Sequence, residues 1–257
     1  MMSNWYGYTP YVPVHERRAN AVREVEKLLG DAVEAQPIEK FSGRKLVKTF
    51  WGEAWCENLE AYSDYASRLP RGRTYAKNGS VTHLEITESK VLAYIAGSEL
   101  YTVEIAIEAL SEKRWEAFKS RCAGQIHTLL DLLQGKVADA VLHEITNKDE
   151  GLFPAPREID FACSCPDIAT MCKHVAATLY GVGIRLDHAP ELFFTLRGVD
   201  HAEIIASAST EALDEGLPEH EDLLADANLG SIFGIEFSDL PVDVVTPVKK
   251  LRAKPRR

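Results

Sequence analysis

The chain has 257 residues, of which 46% are hydrophobic, so it is long enough to bury a sizeable core in one or two domains. Its formal net charge is −10 and its sequence pI is near 5.3, which argues against a surface that binds nucleic acid over its whole area. The sequence has no run of eighteen apolar residues and no secretory leader pattern. We therefore expect no membrane insertion and a cytoplasmic protein.

Two amphipathic helices are predicted near the N-terminus. Apolar residues recur about every three positions over residues 15–29, and Gly30 is a natural helix end. A second helix is predicted from Trp51 to Tyr62, where aromatic and apolar residues repeat at three to four positions. A stripe of this kind is typical of a helix face that packs in the core.

The basic segment 68–77 is a compact candidate for anion binding. It contains four cations and no carboxylate around a proline, a glycine and a tyrosine, which predicts a turn-rich loop. The candidate nucleic-acid contacts are Arg68, Arg71, Arg73 and Lys77, together with Lys173 further along the chain. The alternative is a solvated loop, or arginines that pair with carboxylates of the fold.

The middle of the chain predicts a sheet followed by helices. Strand-like runs over residues 81–87, 91–96 and 101–107 are separated by short turns, which indicates an antiparallel meander. Ser111 is a plausible N-cap for the helix that follows. Apolar periodicity over residues 126–145 predicts one longer helix with Gly135 as a weak point in its middle.

Three cysteines and one histidine lie within twelve positions, in the segment C-S-C-P-D-I-A-T-M-C-K-H. This density suggests a metal site with four protein ligands, Cys163, Cys165, Cys172 and His174. Apolar residues alternate with polar ones over residues 158–165, so both Cys163 and Cys165 should lie on the apolar face of a strand.

The other two ligands precede a predicted helix. Its apolar pattern begins directly after His174 and is predicted to end at Gly181 and Gly183. Residues i and i+2 do not face each other within a helix, so we expect Cys172 at or before the first turn. The helix N-terminus would favour a negatively charged metal-thiolate centre, and Lys173 would help to neutralise it.

Zinc is the expected metal, because structural zinc sites take four Cys and His ligands. Four other interpretations of the cluster are possible, of which the simplest is a set of unrelated buried cysteines. Two disulfides would require an oxidising compartment, and a Cys-His catalytic pair needs one activated thiol rather than three. An Fe–S cluster with three Cys and one His, serving a redox protein or a thiol-dependent enzyme, is the serious alternative.

The spacing C-x-C-x6-C-x-H resembles the SWIM zinc finger. The wider segment from Phe50 to about Ser209 is also similar to bacterial SWIM zinc finger proteins, in the stretches FWGEAWCENLEAYSDYASRLPRGRTYAKNGSV, GLFP and CKHVAATLYGVG. This resemblance implies a role in DNA or protein interaction, often together with a SNF2-type helicase. The helicase would then supply any ATPase activity.

These observations predict an α+β fold with an antiparallel meander flanked by helices and a small β-β-α zinc finger. We expect an N-terminal α+β region over residues 1–150 and the finger with covering helices over 151–209. Residues 210–257 hold an acidic segment, a short apolar patch and a basic, disordered tail. A non-catalytic zinc module is favoured over an enzyme, because all four ligand positions are filled by protein side chains.

Overall fold

The structure is a computed structural model that describes residues 12–30, 33–61, 67–123, 125–126 and 128–204. Helices pack against a four-stranded antiparallel sheet. The strands lie in the order β1 (Val81–Thr87), β2 (Lys90–Ala96), β3 (Leu100–Ile107) and β4 (Ile159–Cys163). The described residues belong to one unit, Met1–Glu215. The predicted acidic segment, apolar patch and basic tail lie outside the described residues.

The predicted α+β class and the predicted meander are confirmed. Strands β1 to β3 match the predicted runs to within one residue, because short turns and alternating apolar residues are strong local signals. β4 pairs with β3 and so adds the strand that precedes the cysteine cluster to the same sheet. Within the described residues, the finger consists of β4, an irregular loop and one helix.

Register across the sheet places the first cysteine of the cluster in a row of core residues. Leu84 pairs with Ala93, Ala93 with Val103, and Val103 with Cys163. The first three of these residues are fully buried. Cys163 therefore lies on the sheet face that points into the core, as the alternation predicted.

Eight helices surround the sheet within the described residues. They are α1 (Val14–Leu29), α2 (Phe50–Glu60), α3 (Leu69–Lys77), α4 (Glu112–Cys122), α5 (Leu129–Leu133), α6 (Asp139–Thr146), α7 (Lys173–Leu186) and α8 (Glu191–Leu196). Gly30 ends α1 with a positive φ of 70°, and Ser111 caps α4, as predicted. The aromatic stripe of α2 is buried, which confirms its place in the core.

Helix α7 is the central helix, with α2 and α3 packed against it and most of its residues buried. The prediction that it ends at Gly181 and Gly183 is wrong. Both glycines lie inside the helix, where they allow close packing. An added Cβ at Gly183 would lie 3.0 Å from the Cys56 sulfur, and one at Gly181 would lie 2.7 Å from Leu84.

Two other local predictions are corrected by the structure. The segment predicted as one helix over residues 126–145 forms two helices, α5 and α6, because Gly135 adopts a positive φ of 67° between them. The basic segment predicted as a loop is helix α3. Its Pro70 lies in the first turn, and its Gly72 packs against Ala176 of α7.

A buried ion network holds the start of β4. Glu158, the last residue of a short 3₁₀ turn (Pro156–Glu158), bonds Arg114 at 2.6 Å and Arg197 at 3.2 Å. Arg197 is 1% exposed and also donates to the Glu108 carbonyl at 2.7 Å. Burial alone would raise the pKa of Glu158, but the hydrogen bond from the Ala155 N–H and the two guanidinium charges hold this pKa below its ordinary value.

Candidate metal centre

The end of β4 delivers the first two sulfur atoms. Cys163 is the last residue of the strand, and Cys165 follows two positions later. Between them, Ser164 continues the pairing with β3, since its N–H donates to the Thr102 carbonyl at 3.0 Å and its hydroxyl accepts from the Thr102 N–H at 3.0 Å. This pairing fixes the backbone on which both thiols are carried.

The start of α7 delivers the other two ligand atoms. Cys172 is the N-cap residue, as predicted, and its sulfur accepts a hydrogen bond from the Val175 N–H at 3.5 Å. His174 lies in the first turn and is 1% exposed. The helix N-terminus therefore points its free N–H groups at the sulfur cluster, where negative charge is stabilised.

The four ligand atoms converge. The three sulfurs and one imidazole nitrogen all lie within 4.8 Å of one another, and Cys163 Sγ lies 3.8 Å from His174 Nδ1. These separations suit atoms that share one ion at the bond lengths of a metal-thiolate site, about 2.3 Å for sulfur and 2.0 Å for nitrogen. The cluster can therefore bind a metal ion.

Aromatic side chains fix the imidazole of His174. The Tyr101 ring stacks on it with centroids 4.3 Å apart, and the Tyr75 ring meets it edge-on at 5.5 Å. Gly97 lies beside the Nε2 atom, which is buried without a hydrogen-bond partner in the described part of the chain. This packing leaves Nδ1 facing the cysteines, which is the orientation that a metal ligand needs.

The sulfur atoms are electrostatically coupled. A hydrogen bond from the Cys163 thiol lowers the pKa of Cys172 to about 3, despite burial, with further help from His174 and the Val175 N–H. The same sharing, together with burial, raises the pKa of Cys163. A bound cation would favour ionisation of all three thiols, because metal ligands bind as thiolates.

The loop between the cysteine pairs is held from α3. Asp167 accepts a hydrogen bond from the Ala169 N–H at 3.2 Å, which forms the turn predicted at this point. The same carboxylate oxygen lies 3.2 Å from the guanidinium of Arg68, and both side chains are more than two-thirds buried. The basic segment and the metal site, nearly a hundred residues apart in sequence, are therefore adjacent in the fold.

The structure gives the five candidate nucleic-acid contacts different surroundings. Arg68 pairs with Asp167, and Arg73 pairs with Glu60 at 2.7 Å while lying over the Tyr180 ring. Two of the cations are therefore already paired with carboxylates, which is the alternative that the sequence left open. The other three candidates are Arg71, which is exposed, and Lys77 and Lys173, which are half-buried. Lys77 lies over the Phe41 ring and Lys173 over the Tyr75 ring.

Sequence reasoning missed the residues that support the ligands. Tyr75 lies on α3 and Tyr101 on β3, and only the packing of α3 and β3 against α7 brings them to His174. No local pattern marks either tyrosine as part of the site. Asp167 was identified only as a turn residue, since its pairing with Arg68 spans 99 positions.

The fold and the site together define an α+β protein with a Cys3His cluster that can bind a metal ion. No family model and no solved structure matches the chain. The uncharacterized protein Rv2102 of Mycobacterium tuberculosis is 30% identical to the chain over 185 residues. The match covers 70% of this chain and 66% of that protein, so the chain spans just under two thirds of the relative's length.

None of the helices formed by the described residues is long and apolar enough to cross a membrane.

Proposed function

We propose that the Cys3His cluster binds one zinc ion as a structural site and that the chain acts as a non-catalytic, SWIM-type interaction module. The observation that carries this proposal is the convergence of four protein ligand atoms within 4.8 Å at the junction of β4 and α7. Four protein ligands fill the tetrahedral coordination of zinc and leave no position for a water nucleophile. Zinc also has no redox chemistry, so the ion would stabilise the fold.

The zinc would fasten elements that are otherwise weakly joined. β4 has only five residues, and an irregular loop separates it from α7. A structural metal contributes its binding free energy directly to folding. Within the module, Lys173 between Cys172 and His174 would offset part of the charge of a Zn(Cys)3His centre.

The partner of the module is proposed to be nucleic acid, a protein such as a SNF2-type helicase, or both, in the cytoplasm. The spacing C-x-C-x6-C-x-H and its resemblance to SWIM proteins support this choice. Arg71 and Lys77 of α3 form no ion pair among the described residues and favour a phosphate backbone, whereas the net charge of −10 favours a protein partner. A cytoplasmic location suits free thiolates, which are kept reduced there.

Metal analysis tests the zinc site. We expect one zinc per chain and a colourless protein, with zinc lost in Cys165→Ser and retained in the control Cys122→Ala, whose sulfur is buried elsewhere in the core. The Cys165→Ser protein should also melt at a lower temperature. Iron in the purified protein, or visible absorption typical of an Fe–S cluster, would replace zinc with the redox alternative.

Two binding experiments test the partner. A pull-down with mass spectrometry would identify a protein partner, and titration with DNA at several salt concentrations would measure phosphate contacts. We expect no turnover by the chain itself, so ATPase activity in a preparation should follow a co-purifying ATPase. Activity that remains with the homogeneous chain would contradict the non-catalytic module.

A further inference from the structure

A polar pocket other than the metal centre lies between the N-terminal half of α1, the C-terminal end of α3 and the C-terminal end of β2. Its volume is about 180 Å³. The polar residues that line it are two arginines, three hydroxyl residues and one amide, with no carboxylate: Arg17, Arg18, Thr74, Tyr75, Ser80 and Asn78. We call it the arginine pocket.

The two arginines carry unused hydrogen-bond donors. The Nε atoms of Arg17 and Arg18 are buried and have no hydrogen-bond partner among the described residues. Arg17 makes one long contact, 3.5 Å, from its Nη1 atom to the Gly97 carbonyl. In the described part of the chain, no carboxylate lies within ion-pair distance of either guanidinium.

The chain is acidic, yet Arg17 and Arg18 have no carboxylate partner among the described residues, a property that they share with Arg185. With 39 acidic and 29 basic residues, most buried or half-buried arginines of this fold have an acidic partner, as Arg68, Arg114 and Arg197 do. Buried polar donors are normally satisfied, and an arginine Nε–H paired with an Nη–H forms the fork that accepts two oxygens of one anion. The guanidinium groups that line the pocket could therefore accept an anion that no described residue supplies.

We propose that the arginine pocket binds a phosphate group. The guanidinium forks of Arg17 and Arg18 would take two of its oxygens, while the hydroxyl and amide groups on the opposite wall accept or donate the remaining hydrogen bonds. The volume suits one phosphate with a few waters, since a water occupies about 30 Å³ in the liquid. The phosphate can be free, carried by a small molecule, or part of a nucleic-acid backbone.

The arginine pocket shares two walls with the metal centre. Tyr75 lines the pocket and contacts the ring of His174, and Gly97 lines the pocket and lies beside His174 Nε2. A phosphate in the pocket would therefore lie one side chain away from a metal ligand. Phosphate binding can be tested independently of the proposed zinc module, because the probe is inorganic phosphate alone.

The test is calorimetric titration of the full chain, as purified, with inorganic phosphate in chloride buffer. We expect saturable binding that is weakened at least about tenfold in the double variant Arg17→Gln/Arg18→Gln, the effect of removing a charge-assisted hydrogen bond. The matched control is Arg23→Gln on the same helix, because Arg23 is exposed and bonds only its own helix at Ala19 and Asn20. This control should bind phosphate as the parent does.

A second variant decides the case if the double variant fails to fold. Asn78→Asp keeps both arginines and places a carboxylate opposite them, so it should abolish phosphate binding while leaving the melting temperature equal or higher. Phosphate binding with the parent's affinity in either variant would overturn the site, and so would the absence of saturable binding by the parent. The source of the phosphate is identified with two further ligands, a 5′-phosphorylated mononucleotide and a short oligonucleotide. If both variants weaken oligonucleotide binding, the pocket binds a backbone phosphate. If they weaken binding of the small ligands alone, the pocket binds a small phosphorylated molecule.

Discussion

The guanidinium of Arg68 lies 3.2 Å from the carboxylate of Asp167, in the loop that joins the two halves of the metal site. Arg68 immediately precedes α3, so this pair fixes the loop to a helix that packs on α7. The loop connects Cys163 and Cys165 to Cys172 and His174, so its position determines how these two pairs of candidate ligands meet. The pair is a positioning contact for the proposed zinc site.

The first prediction concerns this contact. Arg68→Ala should release zinc to a chelator several-fold faster, because the half-buried pair no longer holds the loop. Arg71→Ala removes an exposed cation from the same helix and should leave the release rate unchanged. The rates are measured with a chromogenic chelator, and equal rates in the two variants would contradict the role of the Arg68–Asp167 pair.

The second prediction concerns the contact between α3 and α7. A Cβ added at Gly72 would lie 2.4 Å from the Ala176 Cβ and 2.8 Å from the Ala176 backbone, so the helices would have to separate. We expect Gly72→Ala to lower the free energy of unfolding by roughly 1–3 kcal/mol. Gly43→Ala, whose new atom would meet only ordinary contacts at 3.6 Å, serves as the control in urea denaturation.

The third prediction concerns the buried ion network. Arg197→Met removes the more deeply buried of the two guanidinium partners of Glu158, and should cost about 3–5 kcal/mol of stability because a buried carboxylate loses a compensating charge. Lys90→Met breaks an exposed pair with Glu104, in which both side chains are half exposed, and should cost less than about 1 kcal/mol. Similar losses in the two variants, measured by denaturant unfolding, would contradict the network's role.

The fourth prediction concerns pH. The pKa of Glu158 is lower in the folded protein than in the unfolded chain, so its stabilising contribution is fully present above the unfolded value, about 4.3, and is lost as the pH falls through the folded pKa. The stability difference between the parent and Glu158→Gln should therefore be largest near neutral pH and should shrink below pH 4. A difference that stays constant from pH 7 to pH 3 would show that ionisation of Glu158 does not contribute.

The fifth prediction concerns nucleic acid. If α3 contacts phosphates, replacing Arg71 and Lys77 with Ala should weaken binding to all sequences alike and flatten its salt dependence, through counterion release. The melting temperature should barely change, since neither side chain is part of an ion pair within the described residues. Replacing Arg68 and Arg73 instead should lower stability, because both pair with carboxylates. Parental DNA binding by the first variant at every salt concentration would remove α3 as a contact surface.

Local patterns predicted much of this structure. The density and spacing of cysteines and histidine predict the four residues that converge in the Cys3His cluster, and the geometry of i and i+2 positions predicts the cap position of Cys172. The strands followed from alternation and short turns. These features depend on neighbours within a few residues, which a single sequence contains.

Long-range packing accounts for the failures. Segment 68–77 has the composition of a loop, yet it is helical because Gly72 allows it to dock on α7. The local pattern predicts a helix end at Gly183, whereas the small size of this residue allows contact with α2. The support of His174 by Tyr101 could not be predicted either, since it depends on how β3 meets α7.

β4 is a five-residue strand at the edge of the sheet, and it is anchored at both ends. Glu158 directly precedes β4 and holds the start of the strand through the ion network. The Cys3His cluster begins at Cys163, the last residue of the strand. Without the proposed zinc, the end of the strand would be held to β3 only by backbone pairing and by the hydrogen bonds between Ser164 and Thr102, so it would open more easily and offer unpaired backbone groups to another chain. Loading of the proposed zinc would then also set how readily this edge pairs with another chain or is cut by a protease.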